Sequence, residues 1–289
     1  MTKQPKIFVL GANGMLGTYV CEHFTKEGFL VVPITRNNID ITKITKLQLH
    51  SWFERRAKKW DVVINCAGVI KPQIDKFGDL NGILGNSVFP FILADVCEEF
   101  KLHMCHISSD CTYTGAKGNY VETDLHDCTD VYGKTKSLGE PKNCTVIRTS
   151  IIGEEKQNKR SLIEWIKNQK NKETNGYRNH FWNGLTCLEL AKVIHKIIDE
   201  NLFWQGVRHI FSKNIVSKDE LLKIVNDVYN LNIRVNSIET PVKCDRSLSS
   251  IYDTSNKLST KTVREQVEEM FEFNITDNNI VKTKIEVNE

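Results

Sequence analysis

The chain has 289 residues, of which 40% are hydrophobic, enough for one large domain or two smaller ones with a substantial core. Its 39 Lys and Arg residues against 36 Asp and Glu residues leave a formal net charge of +3, which gives no reason to expect nucleic acid or a membrane as partner. The nine cysteines contain no CxxC pair, so we expect reduced thiols and no metal site. No signal peptide and no window near the roughly 20 apolar residues of a membrane span are visible, which predicts a cytoplasmic protein.

Short apolar runs alternate with segments of helical spacing over the first 150 residues. The apolar runs predict buried strands, at 6–10, 29–35, 61–68, 102–109 and 144–150. The helical spacing predicts helices between them, at 15–28, 44–60, 86–102 and 131–140. This alternation predicts an α/β fold with a Rossmann-like, doubly wound parallel sheet.

The second half of the chain predicts a smaller α/β lobe. A Lys- and Asn-rich segment at 154–179 is typical of a solvated helix and loop. Further predicted elements are a helix at 185–200, a strand at 207–211, a helix at 217–230 and an edge strand at 280–287.

A glycine-rich turn, "GANGMLG", joins the first predicted strand to the first predicted helix. Gly11, Gly14 and Gly17 there let the backbone approach a pyrophosphate at a helix N-terminus, which favours a dinucleotide site over an ordinary tight turn. The candidate contacts in this turn are Gly11, Asn13, Gly14, Met15, Leu16 and Gly17.

The residues after the second strand select between NADH and NADPH. An acidic residue there would repel a 2′-phosphate, whereas Thr35 and Arg36 offer it a hydroxyl and a cation. NADPH is therefore favoured, with NADH and an ordinary surface arginine as the alternatives. Asp40 and Ile41 lie further along and are expected nearer the adenine.

Tyr132 and Lys136 are four residues apart, so on a helix they lie on one face, about 6 Å apart. An ammonium beside a phenol favours the phenolate, which predicts a lowered tyrosine pKa and a proton exchanged at a carbonyl oxygen. By itself the YxxxK pattern is more typical of a solvated helix face.

Together with "GANGMLG", the segments "INCAG", "ISSD", "VYGKTKSLGE", "VIRTS" and "WNGLTCLELAKVI" resemble the extended short-chain dehydrogenase/reductase family. Within it the chain is most similar to the dTDP-4-dehydrorhamnose reductase group. The resemblance implies a domain at residues 1–153 that binds NADP, rejoined by about 182–212, and a substrate lobe at 154–181 and 213–289. It also implies a homodimer.

The resemblance implies roles for individual residues. Ser109 would bind the substrate carbonyl, Tyr132 would act as acid, Lys136 would support it and Asn86 would belong to a proton relay. Cys66, Ala67 and Gly68 would line the cofactor, although "NAAA" is more usual there than "NCAG".

Cys111 departs from the simple 4-keto reductases of this group, which carry tyrosine two positions after the catalytic hydroxyl residue. In carrying a cysteine at that position, the chain resembles bifunctional epimerase/reductases such as GDP-fucose synthase. A C4 ketone acidifies the protons on C3 and C5, and a thiol activated by cations can act there as acid or base. Cys111 is therefore the candidate for epimerisation, with a buried structural thiol as the alternative.

The second acid/base stays open between Lys159, Glu164 and Lys167, each of which is also typical of a solvated helix charge. The candidate substrate-binding residues are Lys71, Gln73, Asn86, Ser109, Asp110, Arg178, Trp182, Asn183 and Arg246. Core packing for Trp182 and a surface ion pair for Arg246 are the alternatives.

The resemblance therefore implies an NADPH-dependent enzyme that converts UDP-4-keto-6-deoxy-D-glucose to UDP-L-rhamnose by 3,5-epimerisation and 4-keto reduction. The alternatives are a monofunctional reductase of dTDP-4-dehydrorhamnose or another 4-ketosugar, and a non-catalytic regulatory subunit that binds NADP. Loss of epimerisation in a Cys111→Ala variant would separate the first two. An absence of NADPH oxidation would favour the third.

Overall fold

The computed structural model describes residues 4–155 and 159–273, so the edge strand predicted at 280–287 lies outside the described residues. The strands in these ranges are β1 (Ile7–Leu10), β2 (Val31–Ile34), β3 (Val62–Asn65), β4 (His103–Ser109), β5 (Thr145–Thr149), β6 (Ile151–Ile152), β7 (Glu173–Tyr177), β8 (His180–Trp182), β9 (Leu185–Thr186), β10 (Gly206–His209), β11 (Val216–Ser217), β12 (Arg234–Ile238) and β13 (Cys244–Asp245). The α-helices are α1 (Met15–Lys26), α2 (Lys46–Glu54), α3 (Lys71–Phe77), α4 (Asp79–Gly82), α5 (Phe89–Glu99), α6 (Val131–Leu138), α7 (Leu162–Lys167), α8 (Cys187–Asp199), α9 (Lys218–Val228), α10 (Thr254–Leu258) and α11 (Val263–Glu272).

Six strands form a parallel sheet in the order β10-β5-β4-β3-β1-β2. The chain reverses its winding direction between β1 and β3, and this is where open α/β sheets bind nucleotides. The register aligns Leu10 with Asn65 and Ser109 with Thr149, so the polar residues that end the strands meet at one edge. The predicted α/β fold with a parallel central sheet is confirmed.

Side chains of the central strands alternate between two hydrophobic layers. In β1, Ile7 and Val9 pack into the layer that contains α1, α8 and α11 residues, while Phe8 and Leu10 pack into the layer with α2 and α5 residues. This period of two, with both faces covered by helices, explains why β1 is apolar throughout.

The prediction of a helix followed by a loop at 154–179 is wrong in part, because the helix α7 is followed there by the polar strand β7. β7 pairs in parallel with β12, and β8 pairs with β11 and β13. These small sheets are built from short, mostly polar strands that carry no apolar run, and this is why the sequence pattern did not reveal them.

One helical stretch, Asp79–Glu99, is long and apolar enough to cross a membrane by length and composition alone. The expectation that no segment of the chain approaches that length is therefore wrong for this stretch. Because 56% of its apolar window is buried in the fold, it has the character of a core helix. A π-helical turn, Ile83–Val88, interrupts it before α5.

Glu140 forms a buried ion pair with Arg148, whose side chain is only 2% exposed. Arg148 Nε donates to Glu140 Oε1 at 2.9 Å, and Ser108 Oγ donates to the same oxygen. The remaining Arg148 nitrogen, Nη1, lies 2.7 Å from the Tyr113 hydroxyl and 2.8 Å from His209 Nε2. Glu140 thus joins the end of α6 to β4 and β5.

We expect Glu140→Gln to lower the free energy of unfolding by about 3 kcal/mol or more, because it leaves the Arg148 guanidinium buried without a counter-ion. Glu99→Gln is the matched control, since Glu99 pairs with Lys46 at 3.0 Å on the exposed surface and should matter by less than about 1 kcal/mol. Urea unfolding of both variants measures the difference. Equal effects of the two substitutions would contradict this account of the buried pair.

Candidate active site

The glycine turn leaves no room for side chains between β1 and α1. Gly11 adopts a φ of +73°, and a Cβ on Gly17 would lie 2.1 Å from the Gly11 carbonyl oxygen. Gly14 caps α1 without a side-chain hydrogen bond, so the first backbone N–H groups of the helix face outward. This is a cradle for an anion. Asn13 is exposed, whereas Leu16 is buried in the core.

The residues after β2 form a tight polar turn. Thr35 donates from both its backbone N–H and its hydroxyl to Asn38 Oδ1, at 2.9 and 3.0 Å, and Arg36 is exposed beside it. Burial opposes ionisation of Asp40, but hydrogen bonds from Thr42 and the charge of Arg36 outweigh it and lower the pKa of this carboxyl. The turn therefore presents the exposed guanidinium of Arg36 and the carboxylate of Asp40, which already accepts hydrogen bonds from Thr42.

Asn86 fastens the segment that follows β3. Its Oδ1 accepts from the Val69 N–H at 2.7 Å, and its Nδ2 donates to the Val69 carbonyl at 2.9 Å and to Thr135 Oγ1 at 3.1 Å. The segment that contains Cys66, Ala67 and Gly68 is therefore held against α6. These contacts give Asn86 a positioning role in the resting protein.

The residues expected to be catalytic converge at the carboxyl end of β4. Ser109 Oγ accepts from the Cys111 N–H at 3.1 Å, and its hydroxyl lies near enough to the side chains of Tyr132 and Cys111 to influence the ionisation of both. Lys136 reaches the same strand and donates to the Ile107 carbonyl at 2.8 Å. The structure thus brings Ser109, Cys111, Tyr132 and Lys136 together.

Burial decides the protonation of the phenol. It raises the pKa of Tyr132 well above the usual value, and the charge of Cys111 acts in the same direction. The expected lowering by Lys136 is wrong for the resting site, because burial dominates and the ammonium is directed at Ile107. Tyr132 is therefore a phenol at neutral pH, the form that donates a proton.

Burial also decides the protonation of the Cys111 thiol. Burial and the neighbouring Asp110 raise the pKa of Cys111 to about 11, although Ser109, Arg246 and Lys71 oppose the shift. The expectation that cations activate this cysteine is therefore wrong in the resting site. Cys111 holds its proton at neutral pH.

Charged groups lie around the Cys111 thiol. Arg246 Nη1 lies 3.8 Å from Cys111 Sγ, and its Nε donates to the Thr114 carbonyl at 3.4 Å. Burial raises the pKa of Asp110, and the charges of Arg246 and Lys218 oppose this shift. Lys71 pairs with Asp130 at 3.3 Å and lies 6.0 Å from the centre of the Tyr132 ring.

The sequence analysis predicted no role for Lys218, which is one lysine at the start of the helix predicted at 217–230. Its Nζ lies 5.1 Å from the centre of the Trp182 ring, and its charge interacts with those of Asp110, Cys111 and Arg246. Burial lowers the pKa of this lysine. Only the packing of β11 and α9 against β8 brings it to the site.

Other candidates have contacts of their own. Arg178 is exposed and lies 3.6 Å from Glu239, and Trp182 is buried in the core. Asn183 donates to the Leu248 carbonyl and accepts from the Leu248 N–H, both at 2.8 Å. Gln73 is half-buried on α3, where its N–H donates to Ile70.

The three candidates for the second acid/base lie around α7. Lys167 pairs with Glu154 at 3.1 Å and with Glu164 at 3.3 Å, so two of the candidates neutralise each other. Lys159 is exposed, with a φ of +47°. None of the contacts described for these residues reaches Cys111.

Residues 5–275 match the family described as the RmlD substrate binding domain. The chain belongs to the RmlD substrate-binding-domain family. A curated relative, the spore coat polysaccharide biosynthesis protein SpsK of Bacillus subtilis, is 31% identical to this chain over 156 residues. The match covers 51% of this chain and 53% of SpsK. The dTDP-4-keto-6-deoxy-D-glucose reductase of Streptomyces niveus is 29% identical over 150 residues, 49% of this chain and 51% of that protein. The chain thus spans about half the length of these relatives.

Solved structures show the same fold along most of this RmlD-family chain. The dTDP-4-dehydrorhamnose reductase of Bacillus anthracis in complex with NADP has a TM-score of 0.77 at 19% identity, and the similarity covers 94% of this chain and 99% of that one. The dTDP-4-dehydrorhamnose reductase ortholog of Clostridium acetobutylicum has a TM-score of 0.73 at 23% identity, over 92% and 98% of the two chains.

Burial lowers the pKa of Lys136 to about 8, below its usual value of 10.5, so the folded protein releases this proton more readily than the unfolded chain. Below about pH 8 both states are protonated and burial of the charge costs stability, while well above pH 10.5 both are neutral and this cost is gone. The free energy of unfolding of the wild type should therefore rise relative to Lys136→Met across this window. Denaturation at several pH values measures the difference.

Lys134→Met is the control for this pH dependence, because Lys134 lies on the same helix and is exposed. Its difference from the wild type should stay constant with pH. A constant difference for Lys136→Met as well would show that the Lys136 ammonium is not destabilised by burial.

Proposed function

We propose that this protein is an NADPH-dependent reductase of a nucleotide-linked 4-ketosugar that also epimerises C3 and C5 of its substrate. The observation that carries the proposal is the convergence of the Ser109 hydroxyl, the Tyr132 phenol and the Cys111 thiol at the end of β4. The parts of this proposal concern the cofactor, the reduction, the epimerisation and the substrate.

The glycine turn and the turn after β2 support NADPH as the cofactor. Gly11, Gly14 and Gly17 leave a cradle for the diphosphate at the start of α1, and the exposed Arg36 is available to a 2′-phosphate. The Bacillus anthracis relative was solved with NADP. We place the cofactor in the domain of residues 1–153 and 182–212, and the sugar nucleotide between this domain and the lobe of residues 154–181 and 213–289.

The reduction needs a hydride at C4 and a proton on its oxygen. Bound NADPH supplies the hydride. Ser109 and Tyr132 hydrogen-bond the ketone oxygen, so the negative charge that develops there is stabilised, and Tyr132 gives its proton to that oxygen. Lys136 contributes its positive charge beside the phenol and so stabilises the phenolate that is left.

Epimerisation uses the same ketone oxygen. Removal of the proton on C3 or C5 produces an enolate whose charge rests on the oxygen held by Ser109 and Tyr132. A proton must then return to the carbon from the opposite face. Cys111 holds a proton at neutral pH and lies beside Ser109, so it supports the role of acid.

Lys218 supports the role of the partner base better than the three residues around α7. Burial lowers the pKa of Lys218, which increases the neutral fraction able to accept a proton from carbon, and the charges of Asp110 and Arg246 also act on this lysine. After one epimerisation Lys218 holds the proton taken from carbon and Cys111 is a thiolate, and transfer of a proton from Lys218 to Cys111 through water restores both groups for the next carbon.

The preferred substrate is UDP-4-keto-6-deoxy-D-glucose, with UDP-L-rhamnose as product. A reductase supplied by a separate epimerase has no use for Cys111, and this favours the combined reaction. The names of the relatives favour the second candidate, a monofunctional reductase of dTDP-4-dehydrorhamnose or dTDP-4-keto-6-deoxy-D-glucose.

NMR of UDP-4-keto-6-deoxyglucose in D2O tests the proposal, first without and then with NADPH. We expect deuterium at C3 and C5 before the cofactor is added and UDP-L-rhamnose afterwards. If the protein reduces a ketosugar that is already epimerised and no deuterium enters at C3 or C5, it is a monofunctional reductase. The absence of both reactions with UDP and dTDP substrates would overturn the enzymatic proposal.

Single variants assign the two steps. Cys111→Ala and Lys218→Met should lose the exchange, because each removes one of its proton-transfer groups, and should still reduce a substrate that is already epimerised. Tyr132→Phe should lower kcat for reduction by roughly 100-fold or more, since it removes the acid. Cys128→Ala is the control, because Cys128 is a half-buried thiol for which neither step has a role. Exchange at the wild-type rate in Cys111→Ala would leave the thiol without a catalytic role.

We propose that the protein is a homodimer joined through the helical stretch Asp79–Glu99. Leu80, Ile83, Val88 and Phe91 on this stretch are apolar and exposed, with 41 to 65% of each side chain accessible. A second copy that covers them would remove this area from water.

Light scattering of the purified protein should give twice the mass of one chain. The double variant Leu80→Glu/Phe91→Glu should give a single-chain mass, because it places four charges in the symmetric interface. Leu125→Glu is the matched control, since Leu125 is 88% exposed and lies away from this stretch. A wild type with single-chain mass would refute the dimer.

A further inference from the structure

A cluster of two histidines and a glutamate lies on the outer layer of helices, apart from the residues assigned to catalysis. His23 and Glu27 are four residues apart at the C-terminal end of α1, and His195 comes from the neighbouring helix α8. One ligand atom from each residue lies within 4.8 Å of the others. We propose that this cluster is a binding site for a divalent transition-metal ion such as Zn²⁺, Co²⁺ or Ni²⁺.

The separation of the two imidazoles fits a shared ion. His23 Nε2 and His195 Nδ1 lie 3.1 Å apart. Two nitrogens bound to one tetrahedral Zn²⁺ at about 2.0–2.1 Å are separated by roughly 3.3 Å, so only a small adjustment is needed. In the resting protein a hydrogen bond joins these two nitrogens, so binding of an ion replaces it: the proton between them leaves, and both lone pairs turn towards the ion.

Aromatic packing fixes the ring that comes from α8. His195 lies edge-on to Phe29, with ring centres 5.3 Å apart, and contacts Phe24 at 5.4 Å. His23 is buried and its ring centre lies 5.1 Å from that of His195. The two nitrogen ligands are therefore preorganised, while the exposed Glu27 carboxylate can move to complete the site from the solvent side.

Nearby positive charges have acidic partners of their own. Lys192 lies 2.7 Å from Glu269, and Lys26 lies 3.5 Å from Glu22. The charges of Lys192 and Lys26 still disfavour a positive charge at His23, and the Glu27 carboxylate offsets them for a bound divalent cation.

The ligand chemistry defines the class of ion. Imidazole nitrogens select Zn²⁺, Ni²⁺, Co²⁺ and Cu²⁺ over Mg²⁺ and Ca²⁺, which prefer oxygen ligands. Three protein ligands leave a coordination position for water. Because the bound ion would join α1 to α8, at the end of α1 opposite the glycine turn, we assign it a stabilising role.

Titration of untagged, chelator-treated protein with Co²⁺ tests the site through the visible absorption of the bound ion. We expect one Co²⁺ per chain, displacement by Zn²⁺, no displacement by Mg²⁺, and a higher Tm in the presence of Zn²⁺. Absence of a saturable Co²⁺ spectrum would overturn the proposal.

Ligand variants locate the ion. His195→Gln and Glu27→Gln should each weaken Co²⁺ binding by about tenfold or more, and both avoid the buried His23, whose removal could unfold the helix pair. His50→Gln is the control, because His50 lies on α2 and pairs with Glu99 at 3.7 Å. Unchanged affinity in His195→Gln, or equal losses in all three variants, would refute this site. The spectrum reports binding directly, so the result does not depend on whether the protein reduces or epimerises a sugar.

Discussion

The geometry of the proposed site depends on the buried carboxylate of Glu140. This residue follows α6 and bonds to Ser108 on β4 and to Arg148 on β5, so one side chain fixes the helix against two adjacent strands. Tyr132 lies on that helix and Ser109 ends β4. Replacing a buried ion pair by apolar residues can be neutral for stability, so its value here lies in the position that it imposes. Lys136, which reaches Ile107, adds a second link between the same two elements.

The charge distribution around Cys111 follows from this fixed geometry. Asp110 is buried and directly precedes Cys111 in the chain, and Arg246 and Lys218 supply two cations from the second half of the chain. Burial of the sulfur and the charge of Asp110 outweigh these cations, so the proton stays on Cys111. A substrate diphosphate or enolate would change this balance, because both add negative charge next to Arg246 and Lys218.

Local patterns in the sequence were sufficient for the main sheet. The apolar runs predicted β1 to β5, and the spacing of Gly11, Gly14 and Gly17 predicted a turn in which side chains have no room. Pairings between distant polar segments were not predictable, and β7 with β12 is an example because neither strand has an apolar period. Lys218 lay beyond prediction for the same reason, since its contact with Trp182 across the fold leaves no signal in the residues around either. The predicted lowering of the pKa of Tyr132 and of Cys111 was wrong. Neighbouring charges can be inferred from the spacing of residues in the sequence, whereas the burial that raises both pKa values cannot.

The resting protonation states constrain the chemistry that the site can perform. Tyr132 and Cys111 both hold protons at neutral pH, so the site is supplied with two acids. The proposed reduction takes its hydride from NADPH and requires only a proton from the protein, for which the phenol suffices. Epimerisation also requires a base, and a thiol with a pKa of about 11 cannot supply it without a change of environment. Lys218, the lysine whose pKa burial lowers, is therefore the group on which the proposed epimerisation depends.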